Sequence, residues 1–295
     1  MRATETRNLL TLGLDLLDSE SLVGRLEEAF ADVPDVVASA RRATTAAVDA
    51  AVERLEVGGR LAYAGCGTPG WLVEADAAEL APTFGFPPER LAVVRSRAAA
   101  ASPGCPDEDS AERGGAAARA LGLGAADVLV AVASSGSTRF TLGAATSATQ
   151  DGALTIAVAN VPGSPLAKVC AIAVELLTGA EPVAGSTRMR AGLAQRLWLT
   201  VFSTAVMTRL GLTHDNLMVN VAPVLAKLRQ RRLTILADVT GLEDAELTAL
   251  LDAAGDDLRV AIVMAGAAVD RVTAERALAA SGGRTRAAIE SAGER

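Results

Sequence analysis

The sequence predicts an α/β protein in which a parallel sheet is covered by helices on both faces. Three observations carry this reading. Five short apolar runs, Arg60–Ala64, Leu91–Val94, Val128–Ala133, Leu154–Ala159 and Ile172–Leu176, each have strand length. Most are separated by enough chain for a helical crossover, which a parallel neighbour requires. Helical spacing precedes and follows the run of strands.

Taken in order, Asp18 or Ser19 can cap a helix through Leu22, Leu26 and Phe30. A longer helix follows from Pro34, with Val37, Val48, Val52 and Leu55 on its buried face and Gly58-Gly59 as its stop. The five strands come next. From about Thr187 to Leu210 the chain turns helical again, carrying Trp198, Leu199, Val201, Phe202 and Met207. Residues 233–292 read as short helices: one near Leu233, one capped around Glu243-Asp244, one through Val260–Val269 and a tail after Asp270. TGLED, AAGDD and SGGR supply the breaks. The predicted segments are a helical 1–45, an α/β body over 46–232 and a helical bundle over 233–295.

Composition narrows the chemistry. The 295 residues include one histidine, His214, and three cysteines, Cys66, Cys105 and Cys170, with no CxxC pair. Ser-His-Asp, Cys-His and zinc chemistry are disfavoured, so no metal is expected. Carboxylates are plentiful, 35 Asp plus Glu against 28 Lys plus Arg, and the net charge of −7 argues against nucleic acid as a partner. Only Lys168 and Lys227 are lysines, so the positive charge is nearly all arginine. The N-terminus lacks a secretory pattern, and the Val260–Val269 run is too short to cross a membrane. With the cysteine spacing, this predicts a cytoplasmic protein whose cysteines are small core residues.

Ligands of open parallel sheets bind at the carboxyl ends of the strands. Two predicted loops there suit an anion. After the first strand comes Gly65-Cys66-Gly67-Thr68-Pro69-Gly70, leading into a helix at Trp71. After the third comes Ser134-Ser135-Gly136-Ser137-Thr138, leading into a helix at Phe140. Glycines let backbone N–H groups converge, hydroxyls add donors, and a helix N-terminus favours negative charge. Neither loop is a dinucleotide or Walker fingerprint, so a phosphosugar fits better than NAD or ATP.

Six segments carry a family resemblance: TETRN at Thr4–Asn8, GGRLAYAGCGTPG at Gly58–Gly70, AAELAPTFGFPPE at Ala77–Glu89, DVLVAVASSGST at Asp127–Thr138, GSTRMRAGLAQR at Gly185–Arg196 and NLMVNV at Asn216–Val221. With them the chain resembles the N-acetylmuramic acid 6-phosphate etherases, of the sugar isomerase (SIS) domain superfamily, over almost its whole length. The resemblance implies a three-layer SIS sandwich with N-terminal helices and a small ubiquitin-associated-like C-terminal bundle. It also implies a phosphorylated amino sugar as substrate, a homodimer, and no cofactor. The implied reaction cleaves the D-lactyl ether of N-acetylmuramic acid 6-phosphate, giving N-acetylglucosamine 6-phosphate and D-lactate. Two carboxyl groups of different protonation state suffice for it.

Under the resemblance, the acid falls at Glu79, within the family's ASECPPT(F/Y)G motif, and its task calls for burial that raises its pKa. The base falls at Glu108, in Cys105-Pro106-Asp107-Glu108-Asp109, with Asp107, Asp109 and Glu112 as competitors. Gly67, Thr68, Ser134, Ser135, Gly136, Ser137, Thr138, Ser186 and Thr187 are the expected phosphate and substrate contacts. Departures from the family cluster in the loops. GTSGR is here Gly67-Thr68-Pro69-Gly70-Trp71, and SGRTP is Ser135-Gly136-Ser137-Thr138-Arg139. Asn220 stands for an aspartate and Leu225 for an asparagine. Trp71 reads either as a sugar-stacking platform or as a packed residue at a helix start. His214 reads as a surface or interface residue near a family subunit contact. Two alternatives remain: a non-catalytic sugar-phosphate-binding SIS regulator, and an aldose-ketose isomerase, from which the etherase-like segments point away.

Overall fold

The computed structural model describes residues 3–95, 107–220 and 226–293. The chain divides into two compact units, Met1–Ala77 with Glu89–Thr204, and Ala78–Pro88 with Ala205–Arg295. Residues from 205 onward therefore group with the C-terminal helices, ahead of the boundary expected at 233.

The first unit opens with α1 (Ser19–Phe30), α2 (Val33–Ser39) and α3 (Arg41–Glu56). Asp18 caps α1: its carboxylate accepts the Ser21 N–H at 2.8 Å, and this bond holds its pKa below the ordinary value. The single helix expected from Pro34 is broken at Ala40, which joins α2 to α3 at φ −84° and ψ 7°. Neither glycine nor proline marks the break, so the apolar spacing reads straight across it.

Then β1 (Leu61–Gly65), α4 (Thr68–Phe84), β2 (Leu91–Val94), α5 (Ala111–Ala120), β3 (Val128–Val132), α6 (Arg139–Gln150), β4 (Leu154–Ala159), α7 (Pro165–Val169), β5 (Ile172–Glu175) and α8 (Arg190–Arg209) alternate. All five strands are parallel, in the order β2-β1-β3-β4-β5, with Leu61 opposite Leu91 and Gly65 opposite Val132. The three central strands are buried at every residue, as strands covered on both faces are. Ala62, Ala64, Leu129 and Ala131 pack with Phe140, Ala144 and Ala145 of α6 in one core cluster. Tyr63 points to the opposite face, because side chains alternate along a strand, and its hydroxyl donates to Asp76 of α4 at 2.9 Å. On α8, Trp198 stacks on Phe202 at 4.9 Å and donates its Nε1–H to Thr44 of α3 at 2.9 Å. The expected three layers are present.

Small residues set how closely the layers approach. A Cβ on Gly114 of α5 would lie 1.9 Å from the Phe140 carbonyl oxygen, and one on Gly143 of α6 would lie 1.8 Å from that of Ala111. The two helices thus cross with their backbones touching. At the amino end of the sheet Asp127 binds Arg60 through its backbone N–H at 2.7 Å and its Nη2 at 2.7 Å, and also takes the Gly124 N–H at 2.8 Å. Burial opposes the Asp127 charge, but these bonds outweigh it and its pKa is lowered.

The second unit adds a hairpin, β6 (Thr213–His214) with β7 (Leu217–Met218), and five helices: α9 (Ala226–Thr240), α10 (Asp244–Ala253), α11 (Leu258–Ala267), α12 (Arg271–Ala280) and α13 (Thr285–Gly293). Leu236, Leu247, Leu258, Ile262, Val263, Ala274 and Ala288 form its core. Glu243 and Glu246 form a reciprocal capping box on α10, while Asp257 and Asp270 cap α11 and α12. The first of these helices begins at Ala226 rather than near Leu233. The tail is two helices, broken at Gly282 and Gly283, which both adopt positive φ.

The cysteine reading is corrected in part. Cys170 is a free thiol, pushed up to about 12 by burial. Cys66, buried at the end of β1, is disulfide-bonded rather than a free core thiol, and Cys105 lies outside the described residues. No described helix is long and apolar enough to cross a membrane.

Gly143→Ala forces a Cβ against backbone that cannot rotate away. It is expected to destabilise the protein by about 1–3 kcal/mol, read as a lowered denaturation midpoint. A midpoint equal to the wild type would show that α5 and α6 can separate without penalty.

Candidate active site

From β1 the chain crosses to β2 on one side, then returns to β3 on the other. The loops leaving the carboxyl ends of β1 and β3 therefore diverge and open a crevice between them, the usual ligand position of a doubly wound sheet. Both predicted loops lie there. They follow adjacent strands because Gly65 and Val132 end β1 and β3 in register.

In the first loop Gly67 adopts φ +64° and α4 starts at Thr68, three residues earlier than expected. A Cβ on Gly65 would sit 2.9 Å from the Gly70 nitrogen, so only glycine lets the first turn of α4 close down on the strand end. Pro69 sits in that turn, where a helix leaves its N–H groups unbonded. It therefore breaks no helical bond but removes one donor from the crevice. Trp71 is 67% exposed, which overturns the packed reading of this residue. Its N–H bonds the Gly67 carbonyl at 3.2 Å while the ring stands at the surface.

In the second loop Gly136 adopts φ +60°, and a Cβ there would lie 2.2 Å from Ser164 Oγ. Ser135 Oγ lies 2.9 Å from Ser137 Oγ and accepts the Ser137 N–H at 3.2 Å, so that donor is used within the loop. Just beyond, the Phe140 N–H in the first turn of α6 donates to the Glu108 carbonyl at 3.0 Å. This bond brings the Glu108 segment to the end of the Ser134–Thr138 loop. Glu108 itself is exposed in a turn ahead of α5, and its competitors Asp109, in the same turn, and Glu112, in the first turn of α5, are exposed as well. Asp107 differs: it is 6% exposed and ion-paired with Arg113.

The third predicted contact, Ser186-Thr187, precedes α8. Its backbone donors are already used, Ser186 N–H on Val183 at 2.9 Å and Thr187 N–H on Gly185 at 3.2 Å, so only its hydroxyls could serve as further donors. The α8 N-terminus is also taken. The buried Glu181 carboxylate accepts the N–H groups of Arg190 at 2.7 Å and Ala191 at 3.0 Å. Burial raises the Glu181 pKa, with those two bonds and the Arg190 charge pulling the other way. The Arg190 guanidinium is held by Thr178, Ala29 and Asp32.

Sequence reasoning missed what joins these pieces. A Cβ on Gly192 would stand 3.3 Å from the Thr187 carbonyl and 3.6 Å from Thr68 Cγ2, so the first turns of α8 run against both segments. One turn on, the buried Gln195 donates from Nε2 to Ser134 Oγ at 2.9 Å and to Asn160 Oδ1 at 2.8 Å. The signal was present, since Gly192 and Gln195 share one helix face within GSTRMRAGLAQR. Asp76 was also missed. Besides Tyr63, it accepts from Ser203 at 3.2 Å and faces Arg196 at 3.9 Å, tying α4 to α8. Burial first, and then Asp76, drives the Tyr63 pKa well above its ordinary value.

Glu79 is exposed on the part of α4 that belongs to the second unit, so the burial expected around it is not found among the described residues. In that unit Gly85 adopts φ +65°, and a Cβ on it would fall 2.7 Å from the Asn220 Cβ. Asn220 donates to the Leu212 carbonyl at 3.2 Å; Leu225 lies outside the described residues. His214 is half-buried on β6, and its Nδ1 has no hydrogen-bond partner among the described residues. Burial and the Arg286 charge lower its pKa, against a raising pull from Asp215.

A parallel, doubly wound sheet with hydroxyl-bearing loops at its switch point is the architecture of a sugar isomerase domain protein, and the SIS domain family matches residues 114–205. The chain is 42% identical to the N-acetylmuramic acid 6-phosphate etherase of Rubrobacter xylanophilus, over 97% of this chain and 95% of that one. It is 40% identical to the etherase of Trichormus variabilis, over 98% and 94%. It belongs to the N-acetylmuramic acid 6-phosphate etherase family. A phosphoheptose isomerase structure from Francisella tularensis shares the fold, with a TM-score of 0.50 and 19% identity over 65% of this chain and 100% of that one.

His214 is the single histidine, the side chain type whose ordinary pKa lies nearest neutral pH. Its folded pKa lies below the ordinary 6.5, so the unfolded chain takes up the proton first. The stability it contributes is complete above pH 6.5 and is lost as pH falls through that value toward the folded pKa. Thermal melts should drop over this range in the wild type and flatten in His214→Gln. Equal slopes would assign the dependence elsewhere.

Proposed function

We propose that this chain cleaves the lactyl ether of N-acetylmuramic acid 6-phosphate, with one water consumed, to give N-acetylglucosamine 6-phosphate and D-lactate. The observation that carries this is the 42% identity to a named etherase across 97% of the chain. In the open-chain sugar the C1 aldehyde acidifies the C2 proton. A carboxylate removes it, the C3–O bond breaks, and a carboxylic acid protonates the leaving lactate oxygen. Water then adds at C3 of the unsaturated aldehyde and C2 recovers a proton. The sequence is redox-neutral and calls on no cofactor.

In this reading Glu79 is the acid and Glu108 the base. Support for Glu108 comes from the Phe140 bond that draws its backbone to the loop end, and support for Glu79 from the motif around it. The phosphate is held by Gly67 and Thr68 in one loop, by Ser134, Ser135, Gly136, Ser137 and Thr138 in the other, and by the hydroxyls of Ser186 and Thr187. The exposed Trp71 ring supplies a flat apolar face for the sugar. A homodimer is favoured by Leu9, Leu12, Leu177 and Val183. All four are exposed around a segment stitched together by Asn8 to Ala180 and Thr11 to Pro182. Light scattering should give twice the 30.0 kDa chain mass, and a monomer would remove this part of the reading.

A second reading, a sugar-phosphate-binding regulator, is favoured by Pro69, Trp71 and Ser137, which stand where the resemblance expects a hydroxyl and two guanidinium groups. One assay separates the two. Purified protein with N-acetylmuramic acid 6-phosphate should release D-lactate, and Glu79→Gln and Glu108→Gln should each slow release by about 10²–10⁴-fold. Binding of the substrate without release would favour the regulator, and absence of both would exclude both.

A further inference from the structure

Gln195 supplies a positioning role that follows from counting donors. Asn160 donates its Nδ2–H to the Leu176 carbonyl at 2.9 Å, and a carbonyl can only accept. The other arm of that amide, Oδ1, is therefore an acceptor and requires a donor opposite it. Gln195 provides that donor at 2.8 Å, which fixes which end of its own amide is nitrogen. The same nitrogen faces Ser134 Oγ at 2.9 Å, so the serine oxygen accepts there. A hydroxyl has one proton, and with a donor behind it that proton is directed away from Gln195. Among the described residues, no acceptor takes it.

Ser134 opens the loop at the carboxyl end of β3, where the Asn160 N–H also holds its carbonyl at 2.9 Å. Gln195 and Asn160 are both fully buried, so the chain of bonds is shielded from water and its polarity is strengthened. A second observation points the same way: Gln195 Oε1 is buried and has no hydrogen-bond partner among the described residues. A side chain that only packs gains nothing from an orphaned acceptor, so this glutamine suits a task at the ligand loop.

We propose that Gln195 is a positioning residue that sets the Ser134 hydroxyl as a donor toward the phosphate of a bound sugar phosphate, with Asn160 fixing the direction of the relay. The proposal rests on reading Ser134–Thr138 as a phosphate-binding loop, but not on turnover. The test is a double-mutant cycle on the full chain, with N-acetylglucosamine 6-phosphate binding measured by calorimetry and folding followed by thermal melts. Ser134→Ala should weaken binding about tenfold or more, the loss of a hydrogen bond to a charged group. Gln195→Met should give a comparable loss, and the double variant should bind no more weakly than Ser134→Ala alone. Gln195→Glu, which replaces the donor by an acceptor at equal size, turns the serine proton inward and should match Ser134→Ala. It carries the test if Gln195→Met does not fold. Additive losses, or Gln195 variants that lower the melting temperature without touching affinity, would overturn the relay alone. A wild-type protein that fails to bind the probe would overturn the loop reading and the relay with it. Absence of D-lactate release with the binding pattern intact would leave the relay standing and count only against the lyase reading.

Discussion

The ligand end of the first unit depends on the first two turns of α8. There Gly192, by lacking a side chain, lets the helix run against Thr187 and Thr68, while Gln195 reaches the Ser134 loop. The Glu181 carboxylate holds the start of this helix by taking two of its free N–H groups. Without that buried acid the helix would begin with donors stranded in the interior, at about 1–3 kcal/mol each. One helix terminus thus fixes three loops that come from three distant stretches of sequence.

The rest of the sheet is arranged so that this end can stay open. At the opposite end Asp127 gathers Arg60 and Gly124, closing the amino edge of β1 and β3. The α5–α6 crossing, close enough that Gly114 and Gly143 cannot carry a Cβ, brings the Glu108 turn onto the first turn of α6. Packing density at the crossing is therefore what positions a carboxylate segment beside the loop, so a methyl group added far from the crevice would act on it through the backbone.

The alternation of apolar runs made the five strands legible, to within a residue or two, and the strand-end rule made both loops legible before any contact was known. What remained hidden had physical reasons. The break at Ala40 carries no breaker residue, and the β6–β7 hairpin has two-residue strands too short to show a period. Trp71 looked equally at home packed or exposed, because one aromatic at a helix start has no periodic partner. The roles of Asp76, Glu181 and Gln195 could not be read locally, since each is defined by partners far along the chain: Ser203 lies 127 residues from Asp76, and Ser134 lies 61 from Gln195. Their residue types gave no warning either, because Asp, Glu and Gln most often face solvent.

The arginine-rich composition invites the idea that guanidinium groups recognise the anion, yet several of these groups are committed to partners within the protein. Arg60 is held by Asp127 and the Leu121 and Gly122 carbonyls, Arg113 by Asp107, Arg190 by Asp32 and Thr178, and Arg232 by Asp256. The two loop positions where the family resemblance expects arginine hold Trp71 and Ser137 instead. In the proposed reading, a phosphate in this crevice is met by hydroxyls, glycine-loop N–H groups and the first turns of α4 and α6. Neutral donors of this kind bind through direction more than through charge, so their aim must be set in advance. In a chain of net charge −7, where long-range attraction for an anion is weak, that requirement is what the proposed relay behind Ser134 would meet, at the cost of an acceptor with no partner among the described residues.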